Sequence, residues 1–161
     1  MAAVDYFLKI NGIPGESQDD KHSNEIEIES WSWGETNSGS HAGGGGGGAG
    51  KVSMHDFSFT MRVNKASPKL FLACATGQHV DEALLTCRKA GKGGQEYLKI
   101  KFTDLLVSSH QMGGSAGDVV PLDQISFNFA KIEFSYAPQK KDGTLDSPVV
   151  HNYDQKKNKG A

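Results

Sequence analysis

Little in this chain is stapled, anchored or strongly charged. It has two cysteines, Cys74 and Cys87, both in apolar surroundings, with no CxxC pair and no histidine at ligand spacing. That argues against a disulfide scaffold or a zinc site and leaves two small buried hydrophobes. Neither charge sign dominates: 17 basic against 19 acidic residues leave a net charge of −2, no footprint for nucleic acid or a membrane surface. The one basic cluster, Lys156, Lys157 and Lys159, reads as part of a solvated polar terminus. The longest apolar run, Leu70 to Ala75, is far too short to cross a bilayer. The opening MAAVDYFLKING has neither a basic n-region nor an apolar h-region. The expectation is a protein soluble in the cytoplasm when made, which leaves the cell, if at all, without a cleaved leader.

What the chain has in quantity is alternation and glycine. In VDYFLKI, Val4, Tyr6, Leu8 and Ile10 alternate with polar or opposite-facing residues, the period of a strand. EIEIESWSWG begins with Ile26 and Ile28 on one face, then shifts phase to Trp31 and Trp33. KVSMHDFSFTMRV shifts from Val52 and Met54 to Phe57, Phe59, Met61 and Val63. EYLKIKFTDLLVSS moves from Leu98, Ile100 and Phe102 to Leu105 and Val107, and ISFNFAKIEFSYA from Ile125, Phe127 and Phe129 to Ile132, Phe134 and Tyr136. Four such shifts point to long strands that bulge or coil hard in a small closed barrel or tight sandwich. The other cause is that one half of each strand packs inside while the other faces a neighbouring subunit.

One helix is expected at about 68–76. Ser67 is a good N-cap, Pro68 suits the first turn, Leu70, Phe71 and Cys74 share a face, and Gly77 ends it. After Pro138 the chain is polar, with one short strand expected at Val149 to Tyr153.

The run SGSHAGGGGGGAGKVS, Ser38 to Ser53, needs its own reading. It nearly meets the phosphate-loop pattern G-x-x-x-x-G-K-[ST], with Gly45, Gly50 and Lys51, but Val52 stands where the Mg²⁺-binding hydroxyl belongs. The segment that follows is strand-patterned, whereas a phosphate loop feeds a helix. A linker reading also fails, because two strands before the run make no core of their own. The run is therefore a loop of about 38–50 inside one domain, of the length that is usually functional or disordered.

Residues able to do chemistry are few in pattern. The six histidines have no metal-like spacing and read as surface or partly buried. Ser53, His55 and Asp56 are close in sequence, but no nucleophile elbow or oxyanion motif accompanies them. No catalytic, metal or cofactor site is expected. Trp31 and Trp33 read as core or subunit-interface packing.

Taken together, several stretches resemble the Hcp (haemolysin-coregulated protein) family: AVDYFLKI, WSWG at Trp31 to Gly34, SGS with the glycine run and GAGKV, SPKLFLACATGQH, RKAG at Arg88 to Gly91, EYLKIKFTDLLVSS and SFNFAKIEFSYAPQKKDG. They run in order over most of residues 2 to 143, and the tail after about 143 matches less well. The resemblance implies a single mainly β domain over 1–161, a small β-barrel of two packed sheets with one flanking helix. It implies a tube component of the type VI secretion system that closes into hexameric rings, stacks, and is exported without a cleaved signal peptide. Sheath, spike and baseplate proteins and small effectors carried in the channel are the implied partners. The long loop would reach a neighbouring subunit or ring, which makes Ser38, Ser40, His41, Gly43, Gly45, Gly48 and Lys51 its contact residues. Ser115, in the turn GGSAGD, would face cargo in the channel. Two alternatives remain at this point: a soluble ring-shaped receptor for effectors that forms no tube, and an enzyme. Fewer than 25 residues follow Pro138, too few for an added toxin domain.

Overall fold

The computed structural model describes residues 4–39, 51–89 and 94–161. Three of the alternating runs become strands β1 (Val4–Ile10), β8 (Gln95–Gly113) and β9 (Leu122–Tyr136). β7 (His79–Lys89), which the sequence reading did not anticipate, stands between β1 and β8, so that β1, β7, β8 and β9 are antiparallel neighbours in that order. β6 (Phe57–Arg62) takes the outer edge of β9 over Leu122–Phe127. β2 (Ile26–Glu27) pairs with β1, and β3 (Ser30–Ser32) pairs with β6. Two residues join β2 to β3, so this short segment closes the sheet into a barrel. The Ile28 N–H donates to Tyr6 O at 3.1 Å on one side, and the Glu29 N–H donates to Thr60 O at 2.8 Å on the other. The phase shift after Ile28 is therefore a change of partner strand.

The shifts in the long strands have a different cause. In β8, Leu98, Ile100 and Phe102 are buried before Asp104, and Leu105 and Val107 after it. β7 shifts between Val80 and Ala83, and β9 between Phe129 and Ile132. Register puts these places in one row: Val80↔Leu105 and Glu82↔Thr103 flank Asp104 on one side, Leu105↔Phe129 and Thr103↔Lys131 on the other. Asp104 has φ 57°, a left-handed conformation that Asp tolerates better than most residues. Both halves still face one core, because the Phe102 ring lies 5.0 Å from Phe127 and 4.9 Å from Phe129. The strands bend together at this row and wrap a single core. No neighbouring subunit is needed to explain the shift.

That core is aromatic. Phe57, Phe59, Phe102 and Phe127 are all buried to within 1% of their surface, and Phe57 packs 4.8 Å from Phe102 and 5.0 Å from Phe127. Such side chains contribute the largest buried areas available to a small barrel. Trp31 is half-buried against the same cluster, 6.1 Å from Phe57.

The helix α1 (Ser67–Thr76) ends at Gly77, φ 67°, as expected. Its start and its face differ from the sequence reading. Ala66 is the N-cap residue and makes no side-chain cap; the Ser67 hydroxyl turns inward and donates to Asp123 at 2.6 Å. Asn64 shapes the turn before the helix, its Oδ1 accepting the Ala66 N–H at 2.8 Å. Leu70 and Ala73 face the core, whereas Phe71 is 58% exposed and Cys74 only partly covered. The buried stripe therefore runs Ala66, Leu70, Ala73, at i, i+4 and i+7, and leaves Phe71 to one side of it.

Two additions lie outside the barrel. β4 (Glu35–Asn37) and β5 (Val52–Met54) form a separate two-stranded arm. β10 (Val149–Asp154) pairs with β9 over Lys131–Tyr136, and β11 (Lys159–Gly160) pairs with β10. The strand expected at Val149 is present. The three lysines of the basic cluster are exposed, as expected, and one of them, Lys156, lies with its Nζ 2.7 Å from Asp104 Oδ2.

Candidate functional site

The clearest candidate is a groove where the core runs out of the barrel. Past the bend, Ile132, Phe134 and Tyr136 share one face of β9. Ile132 is 4% exposed, but Phe134 and Tyr136 lie beyond the end of the core and are 40% and 44% exposed. On β10 the residues paired with them, Tyr153, His151 and Val149, point the same way. Trp33, Glu35 and Met54, at the base of the arm, form the facing wall. The result is an open groove of about 710 Å³ whose lining is mostly aromatic and aliphatic. Exposed apolar surface gathered in this way marks a binding face, because water contact is costly there and a partner removes it. Other exposed apolar side chains are Phe71 and Leu72 on the helix and Met112 on β8. The Phe71 ring stands 6.4 Å from His110 of β8.

The sequence-predicted contact residues fall around the arm and the β8–β9 hairpin. Asn37↔Val52 is the last pair of the arm, so Ser38 and Lys51 stand next to each other's strand at its open end, both exposed. Ser40, His41, Gly43, Gly45 and Gly48 lie outside the described residues. Ser115 is exposed in the turn that joins β8 to β9, and its hydroxyl donates to Asp118 Oδ2 at 2.9 Å. The structure does not bring Ser115 to the groove, whose lining comes from other elements.

Polar clusters that sequence reasoning missed fasten the loop between β1 and β2. His22 is 7% exposed and stacks on Phe7 at 4.3 Å. Its Nδ1 lies 2.8 Å from Glu25 Oε2 and its Nε2 2.6 Å from Glu96 Oε1. Burial works to raise the Glu96 carboxyl, but hydrogen bonds from His22 and Lys99 outweigh it and hold Glu96 below its usual range. Over the same Phe7 ring sits the Arg88 guanidinium, 4.8 Å from the centroid. It grips Asp19 through two nitrogens, at 3.1 and 2.6 Å, and Asp5 at 3.0 Å. The Arg88 hydrogen bond is the main reason that the Asp19 carboxyl is lowered to about 2. Glu25 at i+3 from His22 was the only signal in the sequence; Glu96 comes from 74 residues away.

Nothing in these clusters assembles a nucleophile. Ser67, Asp123 and His110 do meet, but the aspartate stands in the middle. Ser67 Oγ donates to one Asp123 oxygen, and His110 Nε2 is 3.2 Å from the other. A serine is activated by a histidine beside it, so this arrangement ties the helix to the hairpin and activates nothing. Asp56, noted next to His55, accepts from Ser108. Cys87 is fully buried, and burial pushes its thiol up to about 12, which removes it as a nucleophile. Among the described residues no three His, Cys, Asp or Glu side chains stand together in a way that would hold a metal ion.

Comparison with known proteins converges on one family. The family profile described as "Type VI secretion system effector, Hcp" matches residues 7–136. A protein named hcp1 from Pseudomonas aeruginosa is 49% identical over 158 residues, covering 97% of this chain and 98% of that protein. The crystal structure of Hcp1 from Salmonella typhimurium superposes with a TM-score of 0.81 at 37% identity, covering 99% of this chain and all of that one. A structure described as a type six secretion system protein reaches 0.92 at 29% identity, with 99% and 100% coverage.

Proposed function

This chain belongs to the Hcp family of type VI secretion system proteins, and on that premise we propose that six copies close into a ring and that rings stack into the secretion tube. As a family member it is a secreted structural component of that system. The observation that supports the ring is the groove. A lone barrel leaves Phe134, Tyr136 and Val149 40 to 58% exposed, and a neighbouring copy would cover them. A cyclic ring uses two different patches on each subunit, so a groove need not be self-complementary. Phe71 and Leu72 on the helix and Met112 on β8 are further exposed apolar side chains, none of which lines the groove.

In this reading the arm projects from the ring, and Ser38 and Lys51 at its open end stand where a neighbouring subunit or ring would be met. Stacking repeats each weak inter-ring contact six times, so contacts too weak to hold two single subunits together can still join two rings. The ring travels out with its tube without a cleaved signal peptide. Sheath, spike and baseplate proteins contact it on the way, and small effectors occupy the channel, with Ser115 as a contact.

Light scattering on the purified protein tests the assembly. The expected mass is close to six times 17.3 kDa. A strict monomer at every concentration overturns the ring.

A further inference from the structure

One wall of the groove is β10 itself. Val149, His151 and Tyr153 of β10 line it. β10 lies at the edge of the sheet, with Val149, Val150 and His151 exposed, and its outer neighbour β11 has only two residues. A strand so placed opens at lower cost than strands inside the barrel.

Its far end is fastened at the row where the strands bend. The outer edge of β9 changes partner there: Phe127 is the last residue paired with β6, and Lys131 the first paired with β10. Gln155 takes the carbonyls between them. Its backbone N–H donates to Ala130 O at 2.8 Å, and its side-chain Nε2 donates to Phe129 O at 2.6 Å. Lys156 Nζ then reaches the carboxylate of Asp104, the left-handed residue of β8, while His79 Nδ1 lies 2.9 Å from the other oxygen. Asp154 shapes the turn by accepting the N–H groups of Lys156 at 2.9 Å and Lys157 at 3.2 Å.

We propose that Gln155 and Lys156 form a latch on the bent row, and that the latch decides whether β10 stands as a wall of the groove that receives a second copy of this chain. The second half of this proposal rests on the ring reading above. Latched, β10 holds Val149, His151 and Tyr153 in line with Phe134 and Tyr136. Unlatched, β9 keeps a bare edge over Lys131–Tyr136 and the groove loses a side.

Hydrogen exchange and light scattering on the full chain test both halves. In a Gln155→Ala/Lys156→Ala variant the amides of β10 should exchange about tenfold faster, as expected for two lost hydrogen bonds. Residues 98–102 should keep wild-type rates, which shows that the barrel is folded. Ring mass should fall toward monomer at concentrations where the wild type is assembled. Asp104→Asn keeps a residue that tolerates positive φ and removes the charge that Lys156 meets, so it should show the same change in smaller degree. Lys157→Ala, next in the chain, should change neither. Unchanged exchange in β10 overturns the latch. Faster exchange with an unchanged ring overturns its control of assembly. A monomeric wild type overturns the ring alone, because exchange still reports on the latch.

Discussion

At the scale of single residues, the strongest electrostatic feature is Arg88 between Asp19 and Asp5. Its grip lowers the Asp19 carboxyl from its ordinary 3.8 to about 2. The carboxylate binds no proton in the folded chain until the pH is well below the value at which the unfolded chain protonates. Its contribution is therefore complete above about pH 4 and is lost as the pH falls toward 2. Asp19→Asn should remove this part of the acid sensitivity, so that the stability difference from wild type, measured by urea titration, narrows steadily from pH 4 to pH 2. A constant difference across that range would mean that the pair contributes nothing through charge. None of this network was legible in the sequence. Arg88 lies 69 residues from Asp19 and 83 from Asp5, and neither spacing leaves a local pattern.

At the scale of elements, periodicity located the helix and most of the strands, because burial on one side of a strand or helix is a local property of the chain; it missed β7, where Leu85, Thr86 and Cys87 are buried in succession and break the alternation. It was less able to say what the phase shifts meant. The same signal has two causes here: a change of partner at Ile28, and a bend shared by three strands at Asp104, Ala83 and Ile132. A shared bend is a property of register, which pairs residues far apart in sequence. The helix start was misread for a similar reason, since Ser67 was drawn inward by Asp123, 56 residues away, and not left to cap. The buried stripe makes a direct prediction. Leu70→Ala should cost about 2–5 kcal/mol of unfolding free energy, the range for a fully buried leucine. Phe71→Ala, at a side chain more than half exposed, should cost much less in the same denaturant titration. Equal losses would place Phe71 in the core after all.

At the scale of the whole molecule, the family and barrel were legible from collinear stretches, but the groove was not. It is made by Trp33 and Met54 from one end of the chain and by β9 and β10 from the other, and no local pattern joins them. The sequence reading placed assembly contacts on the glycine loop and a cargo contact at Ser115, and those remain proposals. Phe134→Glu puts a charge on the groove face at a residue already 40% exposed. It should leave the circular dichroism spectrum and unfolding midpoint of the barrel nearly unchanged and shift the scattering mass to the monomer. A variant that still forms rings would move the subunit contact to another face.

The closure of the barrel has a mechanical side. Between β8 and β9 the wall is held along strands of 19 and 15 residues, but where it shuts, the ladder is the two residues of β2 and the three of β3. A load spread around the circumference is therefore borne unequally. The long pairs share it over many backbone bonds, while the seam at Ile28 and Glu29 takes the same tension on a handful. A subunit built this way yields at its seam first, unless something outside it, such as the next subunit in a ring, holds the seam shut.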